Sequence, residues 1–185
     1  MGAQLERYLI STDLYHQMIA TGVLGEDERV ELLEGELIKM SPIGPRHAGV
    51  VDRLNRLLNK KLRHEIVRVQ NPVELSAFSE PQPDITILKQ RDDFYTSGHP
   101  LPEDVFLAIE VADTTLATDR TQKIPAYARG GIGEVWLVDL IGDRIEVHSQ
   151  PNQGIYQEVR IILRGQKVTS ITIPQLILRA DDILG

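Results

Sequence analysis

The sequence predicts a single α/β domain over residues 1–185, a mixed β-sheet flanked by helices, and three observations lead there. Short apolar runs of strand length recur from residue 85 onward, among them Ile85–Leu88, Val105–Ala112 and residues 134–140. Between 47 and 65 the apolar residues Val51, Leu54, Leu58 and Leu62 instead repeat every three to four positions, the period of an amphipathic helix. The chain has 185 residues, 42 % of them hydrophobic and 25 % charged, which suffices to bury a sizeable core in one unit.

Ser11 has the chemistry of an N-cap for a helix reaching Thr21, with Gly22 as its stop. Val30–Leu33 and residues 36–40 flank Glu34-Gly35, the signature of a hairpin with a two-residue turn. Pro42, Gly44 and Pro45 break the chain before the long helix, expected from about His47 to Glu65. Strands are expected at 66–70, 72–77 and 84–88. The segment 89–104, with Gly98, Pro100 and Pro102, reads as an exposed loop. Val105–Ala112 follows as a buried strand, then a helix capped by Thr115 or Thr118 that reaches Arg129 and closes at Gly130-Gly131. Pro125 should kink that helix or mark a first turn. Three more strands are expected at 134–140, 144–149 and Ile155–Leu163, with Gly142-Asp143 as a turn. Residues 168–173 and 176–178 continue as a C-terminal β extension, and Ile183-Leu184 is expected to dock at a sheet edge.

Composition removes several function classes. With no cysteine, disulfides, thiolate metal sites and a cysteine nucleophile are excluded, leaving carboxylates and five histidines as ligands. No stretch approaches the roughly 18 apolar residues of a membrane span. The opening MGAQLERYLI lacks a basic region followed by a long apolar segment, so no signal peptide and a cytoplasmic location are expected. No phosphate-cradling glycine loop and no Gly-x-Ser-x-Gly elbow occurs. The net charge of −7 argues against nucleic acid at first sight, but it is unevenly spread. Residues 45–70 carry seven basic residues against two acids, while 74–119 hold ten acids against Lys89 and Arg91.

Two carboxylates stand out. Pro83 and Asp84 directly precede the run Ile85–Leu88, and 26 residues later Glu110 lies inside Val105–Ala112. A carboxylate in a strand-like apolar run is costly to bury without a partner or a metal. Asp84 admits two readings, a site acid or a strand-opening carboxylate bonding turn amides. Strand alternation puts Leu107, Ile109 and Val111 on one face and Phe106, Ala108, Glu110 and Ala112 on the other. Glu110 therefore interrupts an apolar face, and a partner is expected for it. On the next helix Asp119, Lys123 and Tyr127 recur every four residues and share a face, either as a surface ion pair or pointing back at Glu110. Asp113, at the strand end, suits helix capping. His47 falls on the apolar side of the long helix, and Glu36 lies in the hairpin before it. Arg53, Arg56, Lys60 and Arg63 form a basic stripe, either a solvated face or a nucleic-acid contact. His16, His64, His99 and His148 show no metal-ligand spacing.

At ELLEGELIKMSP with His47, QPDITIL, FLAIEVADTT and DRTQKIPAYARGGIGEVWLVDL the chain resembles the PD-(D/E)XK nuclease superfamily, most closely its Uma-type restriction-endonuclease-like family. The resemblance implies a restriction-endonuclease-like fold, Mg²⁺ or Mn²⁺ dependence and a homodimer. The superfamily lysine stands two residues after the glutamate, where this chain has Ala112; in the Uma-type family it is displaced to the next helix, which matches Lys123. The implied chemistry is a metal-dependent endonuclease acting on nucleic acid, DNA favoured, with Asp84, Glu110 and the Val111 carbonyl on the cation and Lys123 assisting. Glu36, His47 and Tyr127 are accessory candidates. The competing reading is a non-catalytic binding or assembly module that keeps the nuclease fold.

Overall fold

The computed structural model describes residues 7–25 and 27–185, so most of the opening segment read for a leader lies outside it. Helix α1 (Thr12–Ala20) starts where Ser11 caps it, its hydroxyl accepting from the Leu14 amide at 3.2 Å. Strands β1 (Val30–Leu33) and β2 (Glu36–Lys39) form a separate antiparallel hairpin. Its turn residues Glu34 and Gly35 have φ of 53° and 80°, the positive pair that a tight primed turn requires. A Cβ on Gly35 would also lie 2.7 Å from that of Leu9, so this turn needs glycine. Helix α2 (Pro45–Lys61) begins with proline in its first turn, where the missing N–H costs nothing.

The main sheet comprises β3 (Ile66–Val69), β4 (Ile85–Leu88), β5 (Val105–Ala112), β6 (Glu134–Asp139), β7 (Arg144–Asn152) and β8 (Ile155–Leu163), in that spatial order. The β5–β6 pair is parallel and the other neighbours are antiparallel. A parallel pair needs a crossover, supplied by a helical run comprising α3 (Leu116–Thr118), a π turn (Asp119–Lys123) and α4 (Ile124–Gly130). One face of the sheet packs on α2 through Val51, Leu54, Ile85, Ile109 and Trp136. The other packs on α4 through Ala108, Ala112, Tyr127, Val135 and Leu137.

Several expectations change for identifiable reasons. Residues 72–77 form no strand; Pro72 cannot donate, and Val73 and Leu75 bond instead to Pro81 and Ser79. Phe106 leaves the Glu110 face: Val105 pairs with Leu88 and Leu107 with Ile87, so Phe106 is the extra residue of a bulge and packs on the α2 side. The C-terminal extension is a short hairpin of β9 (Lys167–Thr169) and β10 (Ile177–Arg179), followed by α5 (Ala180–Leu184). Ile183 and Leu184 thus enter the α2 core from a helix rather than a sheet edge. Asp181 and Asp182 in its first turn suit the positive end of the helix dipole.

Pro125 does mark a first turn, that of α4, and the run before it has widened. The Ile124 amide bonds the Asp119 carbonyl five residues back, so the helix accommodates a ring that would crowd the preceding turn. Asp119 and Lys123 are consequently both turned inward and buried.

Candidate active site

In the β4–β5 register Ile85 faces Ile109, which sets Asp84 beside Glu110 on one face of the sheet. Three donors fix the Asp84 carboxylate. Oδ2 accepts from the Val111 amide at 2.9 Å and meets His47 Nε2 at 3.0 Å, while Oδ1 accepts from Gln70 Nε2 at 3.3 Å. Of the two readings, the amide-bonding one thus describes part of what Asp84 does, although its amide belongs to the Glu110 strand. Glu110 Oε1 accepts from Tyr127 Oη at 2.5 Å and from Lys123 Nζ at 3.2 Å. Lys123 also reaches Glu31 Oε2, at 3.1 Å, and Glu31 is held by the Gln82 amide at 3.0 Å. Asp119 accepts from the Thr115 hydroxyl at 2.6 Å. Asp84, Glu110, Glu31, Asp119, Lys123 and His47 all line one cleft of about 240 Å³.

The electrostatics are unbalanced toward negative charge. Burial pushes the Glu110 carboxyl well above the usual carboxylate range; Lys123 opposes that shift, and Asp84, Asp119 and Glu31 reinforce it. Asp119 is raised by burial as well, against the pull of Lys123. Burial disfavours the Lys123 ammonium, yet Glu110, Glu31, Asp119 and Asp84 outweigh it and keep the lysine charged. His47 is raised first by its hydrogen bond to Asp84, with burial opposing. Its Nδ1 is buried without a hydrogen-bond partner among the described residues. Burial thus works against the charged forms of Glu110 and Asp119, and Lys123 is the cation that opposes it.

The remaining candidates divide. Tyr127 is buried beneath Glu110 and orients it from the α4 side. Glu36 does not converge: it is exposed on the hairpin and pairs with Arg7 at 2.6 Å. Arg53 donates to the Ile183 carbonyl at 2.9 Å, tying α2 to α5, whereas Arg56, Lys60 and Arg63 are exposed outside the cleft lining. By the helical rise Arg56 stands about 13 Å along the axis from His47. Sequence reasoning missed Glu31, Gln70, Gln82 and two exposed cations that do line the cleft, Arg29 and Lys39. Glu31 carries the signal that exposed Glu110, an acid within the apolar run VELL. Gln70, Gln82 and Arg29 come from connecting segments without a period, and Lys39 is the last residue of β2.

The mixed sheet thus has a central parallel pair bridged by helices, with Asp84 and Glu110 meeting at one cleft beside it. A putative nuclease belonging to DUF820 from Anabaena variabilis ATCC 29413 has a similar structure, with a TM-score of 0.71 over 95 % of this chain and 97 % of that one at 18 % identity. The chain belongs to the Uma2 family, described as putative restriction endonuclease, whose model matches residues 12–181. No curated protein matches it. Among the described residues, no helix is long and apolar enough to cross a membrane.

Proposed function

We propose that residues 1–185 form one restriction-endonuclease-like domain that hydrolyses nucleic-acid phosphodiester bonds, DNA favoured, with Mg²⁺ or Mn²⁺ as cofactor. The observation that carries this reading is the convergence of Asp84, Glu110 and Lys123 on one acid-rich cleft. The donor set is all hard oxygen, which suits those cations: the Asp84 and Glu110 carboxylates and the Val111 carbonyl would hold the ion, with Glu31 in reserve across Lys123. A cation held there would supply Lewis-acid chemistry, polarising a phosphate and lowering the pKa of bound water. The chain supplies the rest. His47, Gln70 and the Val111 amide hold Asp84 in one orientation, and Tyr127 does the same for Glu110. Lys123 stays protonated and stabilises the negative charge that develops on phosphate oxygens.

Purified protein incubated with supercoiled, linear and single-stranded DNA plus Mg²⁺ or Mn²⁺ tests the reading. Cleavage is expected in the wild type and not in Asp84→Ala or Glu110→Ala; cleavage surviving in both variants would end the assignment. Metal binding without cleavage would instead support the non-catalytic module.

Arg29 and Lys39 are better placed for phosphates than the α2 stripe, since they are exposed at the cleft itself. Alanine at both positions is expected to reduce the slope of log affinity against log salt by about two, one for each lost contact. An unchanged slope there with a reduced one in Arg56→Ala/Lys60→Ala would move the contact surface to α2.

A homodimer is supported by β8, an edge strand whose outward residues Ile155, Val159, Ile161 and Leu163 are all exposed. Light scattering is expected to give a dimer for the wild type and a monomer for Val159→Lys/Ile161→Lys. A dimer in both would place the interface elsewhere.

A further inference from the structure

Away from the cleft, the fold gathers three residues that sequence spacing kept apart. His16 lies on α1, Glu80 bridges β1 through Leu32, and His99 lies in the loop before β5. His16 Nε2 stands 2.9 Å from one Glu80 oxygen, and His99 Nε2 3.9 Å from the other. One ligand atom from each lies within 4.8 Å of the others, and the two rings are 6.0 Å apart between centroids. None of the three lines the acid cleft.

Glu80 is the unusual member. It is 3 % exposed, and among the described residues no lysine or arginine reaches its carboxylate. The protein's other buried acids are differently served. Glu134 accepts from Trp136, Ser170 and the Ile171 and Thr172 amides; Asp139 and Glu146 meet Arg120 and Arg144. Glu80 has only two imidazoles, each with its side chain more than a third exposed. A buried carboxylate facing only neutral or titrating groups is costly, and a cation between the three would offset that cost.

We infer that His16, Glu80 and His99 form a second cation site, for a borderline transition ion of the Zn²⁺ class. Two imidazoles and one carboxylate are a zinc donor set, with bonds of about 2.0–2.2 Å and a fourth position left to water. Imidazole distinguishes this site from the all-oxygen cleft, which suits harder ions. Glu80 is held in place by its bridge to β1, and the exposed imidazoles rotate to close on the ion as their Nε2 protons leave. The ion would tie α1 and the 89–104 loop to the segment that runs from Glu80 into Asp84, clamping the approach to the cleft.

Calorimetry with Zn²⁺, in excess Mg²⁺ added to compete at the acid cleft, tests this. One Zn²⁺ per chain is expected in the wild type. His16→Ala and His99→Ala should each weaken it by more than the roughly 10–100-fold typical of an outer-shell partner. Both positions are at the surface, so the variants should fold, and circular dichroism checks that. Co²⁺ in place of Zn²⁺ should give visible d–d bands that vanish in either variant and persist in Asp84→Asn. The inference is overturned if the wild type binds no Zn²⁺, if binding survives in His16→Ala/His99→Ala, or if only Asp84→Asn abolishes it. Because the assay reads no cleavage, its failure leaves the nuclease reading separately testable.

Discussion

Replacing Asp84 or Glu110 by alanine is expected to lower metal-dependent cleavage by about 10³-fold or more, roughly 4 kcal/mol of lost transition-state stabilisation. Both carboxylates are buried and hydrogen-bonded where they stand, so losing either removes an oxygen donor directly from the cleft. Asp84→Asn separates charge from shape: the amide keeps the side chain's size beside Val111 and Gln70 but loses the anion. It should therefore cleave about as poorly as Asp84→Ala. Substantial activity in Asp84→Asn would show that Asp84 orients the strand end and does not hold a cation.

Lys123→Met is expected to destabilise the fold by about 3–5 kcal/mol, because it strips the one ammonium from a buried cluster of acids. Glu110→Gln should have the opposite sign. Its carboxyl is held above the ordinary value by burial, so in the folded protein the charged form is disfavoured. A group raised in this way contributes stability that is fully present below its unfolded-state value and is lost as pH rises through the folded one. The stability advantage of Glu110→Gln over the wild type should accordingly grow as pH rises above about 4.5, the ordinary glutamate value. Urea denaturation with a chelator present measures both variants. A neutral Lys123→Met would mean that the surrounding acids are already protonated.

Strand and helix periods made most of the fold legible, because elements of eight or more residues announce their faces. Val105–Ala112 is such a case, and its alternation holds from Leu107 through Ala112. It fails at Phe106, where a bulge inserts a residue that no single-strand pattern reveals. α5 was hidden for a different reason: five residues are too few to display a helical period. In the site, the spacing of Asp119, Lys123 and Tyr127 put them on one face but left open whether it met solvent or Glu110; the π turn, which no spacing reveals, turns Lys123 inward to Glu110. Burial of an acid in an apolar run is a signal with two outcomes. It marks Glu110, and it equally marks Glu134, whose oxygens are satisfied by Trp136 and the Ser170–Thr172 segment. Only the fold shows which acid faces a cleft and which one staples a chain end.

The central claim is that Asp84 and Glu110 hold a divalent cation, and titration of Mn²⁺ into metal-free protein tests it most directly. Calorimetry in buffers of different ionisation enthalpy would read affinity and proton release together. The wild type should bind Mn²⁺, and affinity should fall, with growing proton release, as pH is lowered, since Glu110 takes up its proton above the ordinary carboxylate range and only the carboxylate ligates. Glu110→Ala should lose that binding. Equal Mn²⁺ affinity in wild type and Glu110→Ala would contradict the account.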